Sequence, residues 1–324
     1  MKLRLIQQNV KIKLMEKIDL AVEILKKGEV VAAPTETVYG LFADASNDVA
    51  IQKIYEIKGR PICNPLIVHV SDVERAKETA KFSEIAESIA QYFWIEKELP
   101  LTIILPNLNK NISKFVTAGL SSIALRRPNH KISRLLIEKF GSSLAAPSAN
   151  TSTFVSPTSF EMVKSDLGAK IPLILDGGSC SVGLESTILD LTQKPFVILR
   201  PGGVSKKEIE TFLGEDVLTS AELNIQAIKA PGMMEKHYSP NLPVRINSLF
   251  PQEDEAFIAF GKTNEPYDLN LSLSGDLKEA AQNLFRFLKL LDNKSKFSGI
   301  AIMPIPNFDI GVAINDRITR ASAT

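Results

Sequence analysis

Two cationic side chains lie two residues apart in the segment Lys58-Gly59-Arg60-Pro61, where a predicted helix gives way to a proline-containing loop. In an extended segment, residues i and i+2 face the same side, so Lys58 and Arg60 could point at one anion. The planar guanidinium of Arg60 suits phosphate oxygens, and the amide of Asn64 suits a base edge or a ribose. Taken alone, however, such a segment more often forms a solvated turn with two surface cations.

Two further arginines follow predicted strands. Arg126 comes directly after the apolar strand predicted over 122–125, and Arg200 lies between the strand predicted over 197–199 and a Pro-Gly-Gly turn. Ligand sites in open α/β sheets lie off the carboxyl ends of strands, so Arg126 is placed to project into such a site. The glycines after Arg200 permit a tight turn at the end of its strand. An arginine at the edge of a sheet without a ligand would have the same pattern.

A loop rich in small residues and hydroxyl groups covers 145–158, with Ser148 and Ser156 as its candidate donors. Small residues let a ligand approach the backbone closely, and a hydroxyl group can donate to phosphate or carboxylate. The sequence contains no G-x-S-x-G, no G-x-x-x-x-G-K-[ST] and no G-x-G-x-x-G opening a helix. A serine hydrolase, a P-loop protein and a Rossmann dinucleotide-binding protein are therefore not supported.

The three histidines, His69, His130 and His237, are widely separated and form neither HxxxH nor HExxH. We therefore expect no metal site built by protein ligands. His69 lies in the apolar strand predicted over 66–70, where a hydrogen-bonded core histidine is more common than a catalyst. His237 and Tyr238 lie between glycine and proline in a predicted linker, where they either dock the linker or face a site.

The hydrophobic pattern predicts helices and strands that alternate early in the chain, whereas strands follow one another later. This arrangement indicates a mixed α/β sheet rather than a strict βαβ repeat. A capping box is expected at Ser71 and Glu74. Helices are predicted over about 14–25, 48–57, 131–140, 206–213, 276–292 and 314–320, and strands over 29–33, 66–70, 101–105, 122–125, 144–146, 173–175, 186–191, 197–199, 257–260 and 300–303.

The pattern breaks between residues 214 and 243, a stretch punctuated by Pro231, Gly232, Pro240 and Pro243. We interpret it as a linker that also covers a site, as lids often do. The predicted units are a larger α/β domain over 14–213, this linker over 214–243, and a smaller α/β domain over 244–324.

The composition of the chain argues against several classes of protein. The 38 basic and 37 acidic residues leave a net charge of +1, which does not indicate a nucleic-acid binder. No stretch reaches the roughly 18 apolar residues of a membrane span, and no signal peptide is apparent, so we expect a cytoplasmic protein. Cys63 and Cys180 are expected to be small core or pocket-wall residues.

Six motifs in order resemble one family: PTETVYGL, KGRPxxNPLIVHV, RRPNH, APSAN with SPT, DGG with GLESTILDL, and LRPGG. They are similar to the YrdC-like domain of threonylcarbamoyl-AMP synthases. HYSP and the terminal AINDRITRASA resemble the long form of that family. The similarity extends from about Leu14 to the end of the chain, and six ordered motifs are far more specific than any one of them.

The resemblance implies an open, twisted mixed sheet with a positively charged concave face, followed by a smaller Rossmann-like α/β domain. It also implies a reaction in which L-threonine, bicarbonate and ATP give threonylcarbamoyl-AMP and pyrophosphate. Mg²⁺ would be held mainly by the phosphates of ATP and by water. A separate tRNA threonylcarbamoyl transferase complex would use the product, and direct tRNA binding is not expected.

The resemblance further implies which side chains bind each substrate. Lys58, Arg60 and Arg200 would bind the triphosphate, and Lys58 and Arg60 are the candidate catalytic residues. Further contacts to ATP would come from Asn64, Ser122, Ser148, Ser156, His237 and Tyr238. Arg126 would bind the carboxylate of threonine, with Thr37, His69, Ala146 and Ser186 around it.

This chain departs from the family pattern at three places. Phe42 stands where a small residue is common, and Thr153 stands where glycine is frequent. Met234-Glu235-Lys236 replaces a linker motif that usually carries two cations around a tyrosine. Since one cation is missing and an acid is added, we expect a weaker grip of this segment on phosphate.

Three alternatives remain at the level of sequence. An RNA-binding protein could use the concave face directly, although the near-neutral charge and the 7% aromatic content weigh against it. A carbamoyl-transfer module would need further segments and cysteines. A regulatory nucleotide-binding module would not need residues for an amino acid.

Overall fold

The computed structural model describes residues 2–108, 110–224, 230–233 and 237–323, and for residues 2–11 the backbone alone. Within these residues the chain forms a nine-stranded sheet and a four-stranded sheet. The strands of the larger sheet are β1 (Val31–Ala33), β2 (Gly40–Asp44), β3 (Ile67–His69), β4 (Leu101–Pro106), β5 (Ser122–Arg126), β6 (Leu144–Ala145), β7 (Thr187–Asp190), β8 (Val197–Arg200) and β9 (Leu218–Thr219).

The larger sheet is mixed, as expected, and has the strand order β1-β2-β6-β3-β5-β4-β7-β8-β9. The pairs β3–β5, β4–β7 and β8–β9 are parallel, and the other neighbours are antiparallel. Its helices are α1 (Lys2–Lys26), α2 (Asp48–Lys58), α3 (Val73–Lys77), α4 (Glu84–Ile89), α5 (Lys114–Thr117), α6 (Lys131–Phe140), α7 (Phe160–Leu167) and α8 (Lys206–Leu213).

Both faces of this sheet are apolar and covered. Side chains alternate between faces along a strand, so Ala32 joins one core while Val31 and Ala33 join the other. The first core packs against α2 and the α4 region, and the second packs against α1 and α6. This two-sided burial explains why the strands have continuous apolar sequences.

Local signals set several helix ends. Asn47 caps α2 by accepting from the backbone N–H groups of Val49 and Ala50, and Gly59 ends it in the left-handed conformation. That ending places Arg60 in the turn immediately after the helix. A capping box formed by Ser205 and Glu208 opens α8.

The second sheet is entirely parallel, with the order β10-β13-β11-β12. Its elements are β10 (Val244–Arg245), β11 (Glu255–Ala259), β12 (Leu269–Asn270), α9 (Leu277–Leu291), β13 (Gly299–Ile302) and α10 (Ile310–Ser322). The apolar face of α9 packs in a core that also takes in Val38, Leu184 and Tyr238. One apolar cluster therefore joins the two α/β units.

Some predictions were wrong. Residues 173–175 form a single bridge, between Ile174 and Ala32, rather than a strand. The cap of α3 is Asp72, whose side chain accepts from the N–H of Arg75, because the helix begins one residue after the predicted capping box would place it. Cys63 is exposed in the turn before β3, whereas Cys180 is buried.

Other elements were not predicted from the sequence. These include β2, the short helices α4, α5 and α7, and a π-helical turn over Ala90–Glu96. The predicted linker contains the strand β9, which pairs in parallel with β8. None of the described helices combines the length and the apolar character needed to cross a lipid bilayer.

Candidate active site

A narrow pocket of about 40 Å³ lies where the larger sheet meets the segment around Tyr238. Eight of the residues predicted to bind substrates line it. Among the described residues its lining comprises Thr35, Val38, Gly40, Arg60, Ile67, His69, Arg126, Ala146, Pro147, Ser148, Glu185, Arg200, Pro231, Gly232, His237 and Tyr238.

Strand register brings the two ends of the predicted site together. His69 of β3 pairs with Arg126 of β5 in a parallel ladder, so both strands end at the same edge of the sheet. Arg200 ends β8, and its guanidinium donates to the carbonyl oxygens of Ser186 and Pro231. Arginines that are distant in sequence therefore converge on one pocket.

Arg126, the last residue of β5, is buried and forms an ion pair with Glu36. Its Nη2 donates to Oε1 of Glu36 at 2.6 Å, and its buried Nε lacks a hydrogen-bond partner. The other oxygen of Glu36 accepts from the N–H of Asn129. The carboxylate thus orients the guanidinium while leaving a buried donor free, which suits a carboxylate ligand.

The two histidines of the pocket are neutral. Burial, followed by the nearby charge of Arg126, lowers the pKa of His69 to about 3. Burial likewise lowers the pKa of His237 to about 3. Nδ1 of each ring is buried and has no hydrogen-bond partner. At neutral pH the positive charge of the pocket therefore comes from its arginines.

Arg60 is held by groups that do not cancel its charge. Its guanidinium donates to the backbone oxygens of Asn64 and Pro65 and, at 2.6 Å, to the side-chain oxygen of Asn64. Burial lowers the pKa of Arg60 to about 10, which still leaves it cationic at neutral pH. Because carbonyl oxygens are neutral acceptors, the guanidinium retains its attraction for an anion.

Lys58, a predicted catalytic residue, does not line the pocket. Its buried Nζ donates to the backbone oxygens of Ser148 and Asn150. Burial, followed by the charge of Arg60, lowers the pKa of Lys58 well below its usual value. In this structure Lys58 supports the backbone of the hydroxyl-rich loop, behind the pocket wall.

Five other predicted residues also lie outside the lining. Thr37 is buried and shares a hydrogen bond of 2.9 Å with Thr35. Asn64 contacts Arg60 as described above, and Ser122 begins β5 at the far end of that strand from Arg126. Ser156 donates to Glu185, and Ser186 bonds to Thr102 and Arg200.

Sequence reasoning missed three charged residues that contact predicted site residues: Glu36, Glu185 and Arg317. Both carboxylates lie inside the motifs PTETVYGL and GLESTILDL, so the motifs contained the signal. Arg317 lies in the C-terminal motif and reaches Glu185 at 2.8 Å. A pairing across 132 residues has no local sequence signature.

The segment around Tyr238 covers the pocket. The rings of His237 and Tyr238 lie 4.0 Å apart, and Tyr238 stacks on Phe285 of α9 at 5.4 Å. Gly232 has a φ of +83°, and a Cβ there would lie 2.8 Å from both Arg200 Cδ and Tyr238 Oη. Glycine is thus required for this close approach.

The three departures from the family pattern have different outcomes. Phe42 is buried, and its ring meets His69 edge-on at 5.4 Å. Thr153 adopts a φ of 71°, a conformation that disfavours a β-branched residue. Met234-Glu235-Lys236 lies outside the described residues.

Three larger cavities, of about 350, 770 and 1040 Å³, are lined by described residues of both α/β units. None of these linings contains a predicted site residue. Among the described residues, no group of three or more His, Cys, Asp or Glu side chains comes close enough to hold a metal ion.

Comparisons with known proteins agree over most of the chain. Residues 23–202 match the family model described as telomere recombination, and residues 204–323 match the one described as threonylcarbamoyl-AMP synthase, C-terminal domain. The chain is 37% identical to the threonylcarbamoyl-AMP synthase of Pyrococcus abyssi, covering 94% of both proteins. It is 37% identical to that of Bacillus subtilis, covering 93% of this chain and 92% of the relative.

A solved structure is similar over the same extent. The crystal structure of P. abyssi Sua5 complexed with L-threonine superposes with a TM-score of 0.86. It is 35% identical in sequence, and the match covers 94% of each chain. The fold, including both α/β units, is therefore common to the two proteins.

Proposed function

Because the chain belongs to the family of threonylcarbamoyl-AMP synthases, we propose that its covered pocket is the active site in which threonylcarbamoyl-AMP forms. The protein is an enzyme with this synthase activity, a reaction of the nucleotidyltransferase type. The observation that carries the assignment to the pocket is the convergence of Arg60, Arg126 and Arg200, all buried, on one small space.

The reaction joins three substrates. The amine of L-threonine and bicarbonate give N-carboxythreonine and water. One oxygen of this carbamate attacks the α-phosphorus of ATP, the bond to the bridging oxygen breaks, and pyrophosphate leaves. The attacking oxygen is already anionic, so a general base is not needed, and holding anions together is the main task of the site.

The threonine end of the pocket is formed by Arg126, His69 and Ala146. The unpaired Nε of Arg126 supports a role in binding the threonine carboxylate, with Glu36 fixing the orientation of the guanidinium. The neutral ring of His69 can accept or donate a hydrogen bond without adding charge. Thr37 and Ser186 lie behind this wall and would reach threonine after a small change in the pocket.

The nucleotide end contains Arg60, Arg200 and Ser148 on the lining. We assign the triphosphate of ATP to the guanidinium groups of Arg60 and Arg200. Both donate hydrogen bonds to neutral oxygens and therefore keep their positive charge. Lys58 and Asn64 would act from directly behind, Lys58 through the loop that carries Ser148. Ser122 and Ser156 would complete the ATP contacts.

Residues 214–243 would act as a lid between the catalytic part, 14–213, and the C-terminal part, 244–324. The pocket volume of about 40 Å³ cannot contain ATP, because sites for such ligands have volumes of about 300–1000 Å³. We infer that His237 and Tyr238 move outwards to admit the nucleotide and then close over it.

Mg²⁺ would arrive with ATP, bound by phosphate oxygens and water, where it would neutralise the charge of the departing pyrophosphate. We further propose that the product passes to a separate tRNA threonylcarbamoyl transferase complex in the cytoplasm. A net charge of +1 supports a donor enzyme that does not bind tRNA itself.

The test is pyrophosphate release from ATP and Mg²⁺, measured with L-threonine and bicarbonate present together, separately and not at all. We expect release only with both co-substrates. The opposite result would be a folded protein that releases no pyrophosphate and binds RNA with an affinity that falls steeply with salt. That result would favour the RNA-binding alternative.

A further inference from the structure

Glu185 places a buried carboxylate on the wall of the proposed ATP pocket. It accepts from the hydroxyl group of Ser156 at 2.6 Å and from Arg317 at 2.8 Å. Burial raises the pKa of Glu185. The guanidinium groups of Arg317 and Arg200 and the hydrogen bond from Ser156 lower it by more than burial raises it, so that the pKa is about 2. Glu185 is thus ionised beside a site for a polyanion.

Arg317 comes from α10 of the C-terminal part and is fully buried. Besides Glu185, its guanidinium donates to the carbonyl oxygen of Pro201 at 3.0 Å and to Asp316 at 2.5 Å. Its centre lies 5.0 Å from the ring of Tyr238. One side chain therefore contacts two loops of the catalytic part and the covering segment.

The two loops carry groups that the proposed reaction needs. Glu185 directly precedes Ser186, and Pro201 directly follows Arg200. The loops also touch each other closely, since a Cβ on Gly202 would overlap the backbone of Ser186 and Thr187. By bonding to both, Arg317 sets the position of Arg200 relative to the pocket.

The charge of Glu185 is a second reason to expect that Arg317 affects ATP binding. An ionised carboxylate on the lining repels phosphate oxygens, and the repulsion is strong where water is largely excluded. Nη1 of Arg317 donates to the carboxylate of Asp316, whereas Nε of Arg317 donates to the carboxylate of Glu185. Without this guanidinium, Arg200 alone would offset the negative charge of Glu185, and ATP would be repelled more strongly.

We propose that Arg317 is a positioning residue for the ATP end of the active site, through which the C-terminal part makes the pocket competent to bind nucleotide. Its guanidinium neutralises Glu185, bridges the Glu185 and Pro201 loops, and supports the ring of Tyr238. This inference rests on the proposed function, since it concerns the same pocket and the same nucleotide.

The experiment measures the KM for ATP and the KM for L-threonine by pyrophosphate release. Calorimetry gives the Kd of ATP in the presence of Mg²⁺. Arg317→Met should raise the ATP KM and Kd by about tenfold or more, because it leaves a buried charge unpaired. The threonine KM should change less than about threefold, because Arg126 is left intact. Adding Glu185→Gln to Arg317→Met should restore most of the lost ATP affinity.

Arg245 and Glu255 provide a matched control, because they form a two-point ion pair within the C-terminal part. Arg245→Met, alone and with Glu255→Gln, should leave both KM values unchanged. If Arg317→Met does not fold, Arg317→Lys takes its place: it keeps the charge but loses the bridging contacts, and should raise the ATP KM severalfold.

An unchanged ATP affinity in a folded Arg317 variant would overturn the proposal. An equal rise of both KM values that Glu185→Gln does not relieve would also overturn it, since that pattern indicates general loosening of the fold. Wild-type protein that binds ATP but releases no pyrophosphate would count against the proposed function instead, and the Kd values would still decide the role of Arg317.

Discussion

Mild acid should destabilise this protein through the two buried histidines of the pocket. His69 and His237 each have a pKa of about 3 in the folded chain against an ordinary value of 6.5. The unfolded chain therefore binds more protons between these values, and stability falls as the pH drops below about 6.5. Each histidine should lower the free energy of unfolding by about 2 kcal/mol between pH 7 and pH 5.

Other groups with shifted pKa values, Lys58 among them, are present in every protein compared below. Glu185 has a folded pKa of about 2 against an ordinary value of 4.5, so its stabilising contribution is lost mainly below pH 4.5. Burial also lowers the pKa of His130, so the third histidine acts in the same direction as the other two. It remains in both variants below and cancels in the comparison.

Urea unfolding at pH 7 and pH 5, at constant ionic strength, measures the effect. His69→Asn and His237→Asn should each reduce the loss of stability between the two pH values by about 2 kcal/mol, whatever they do to the stability at pH 7. A wild-type stability that does not change between the two pH values would refute the reasoning. So would variants whose loss equals that of the wild type, because the imidazoles would then have ordinary pKa values in a hydrated pocket.

Three further predictions concern single positions. Thr153→Gly should raise the free energy of unfolding by about 1 kcal/mol, measured by urea unfolding, because it relieves a left-handed backbone conformation. Gly202→Ala should lower it by about 3 kcal/mol, because the added methyl group overlaps the neighbouring backbone; an unchanged urea midpoint would contradict this packing. Arg126→Gln should raise the threonine KM by about 30-fold or more and leave the buried Glu36 without its cationic partner. The double variant Arg126→Gln with Glu36→Gln should recover stability but not the threonine KM, and recovery of both would exclude direct contact between Arg126 and threonine.

Much of the fold could be predicted because its signals are local. Helices α6 and α8 have the predicted bounds, since their apolar spacing and their terminal residues agree. Short strands such as β2 and short helices such as α5 escaped prediction, because a few residues carry little periodicity. Residues 173–175 are apolar like a strand but make only one bridge.

The sequence likewise predicted some features of the candidate site and not others. The order and types of Arg60, Arg126 and Arg200 were evident from the motifs, and so was the class of ligand that suits them. Whether a named residue faces the pocket or supports it from behind was not evident. Lys58 is the example, because its direction depends on backbone oxygens about 90 residues further along the chain.

The sequence by itself determined the family, the class of reaction and the set of cationic and hydroxyl groups, because these follow from residue types in a fixed order. Tertiary structure alone decided which charges are paired, since Glu36 meets Arg126 and Glu185 meets Arg317 across 90 and 132 residues. The physical reason is that burial and pairing depend on what packs around a side chain. Local sequence records neither the low dielectric of the pocket nor the partner that reaches it from another part of the fold.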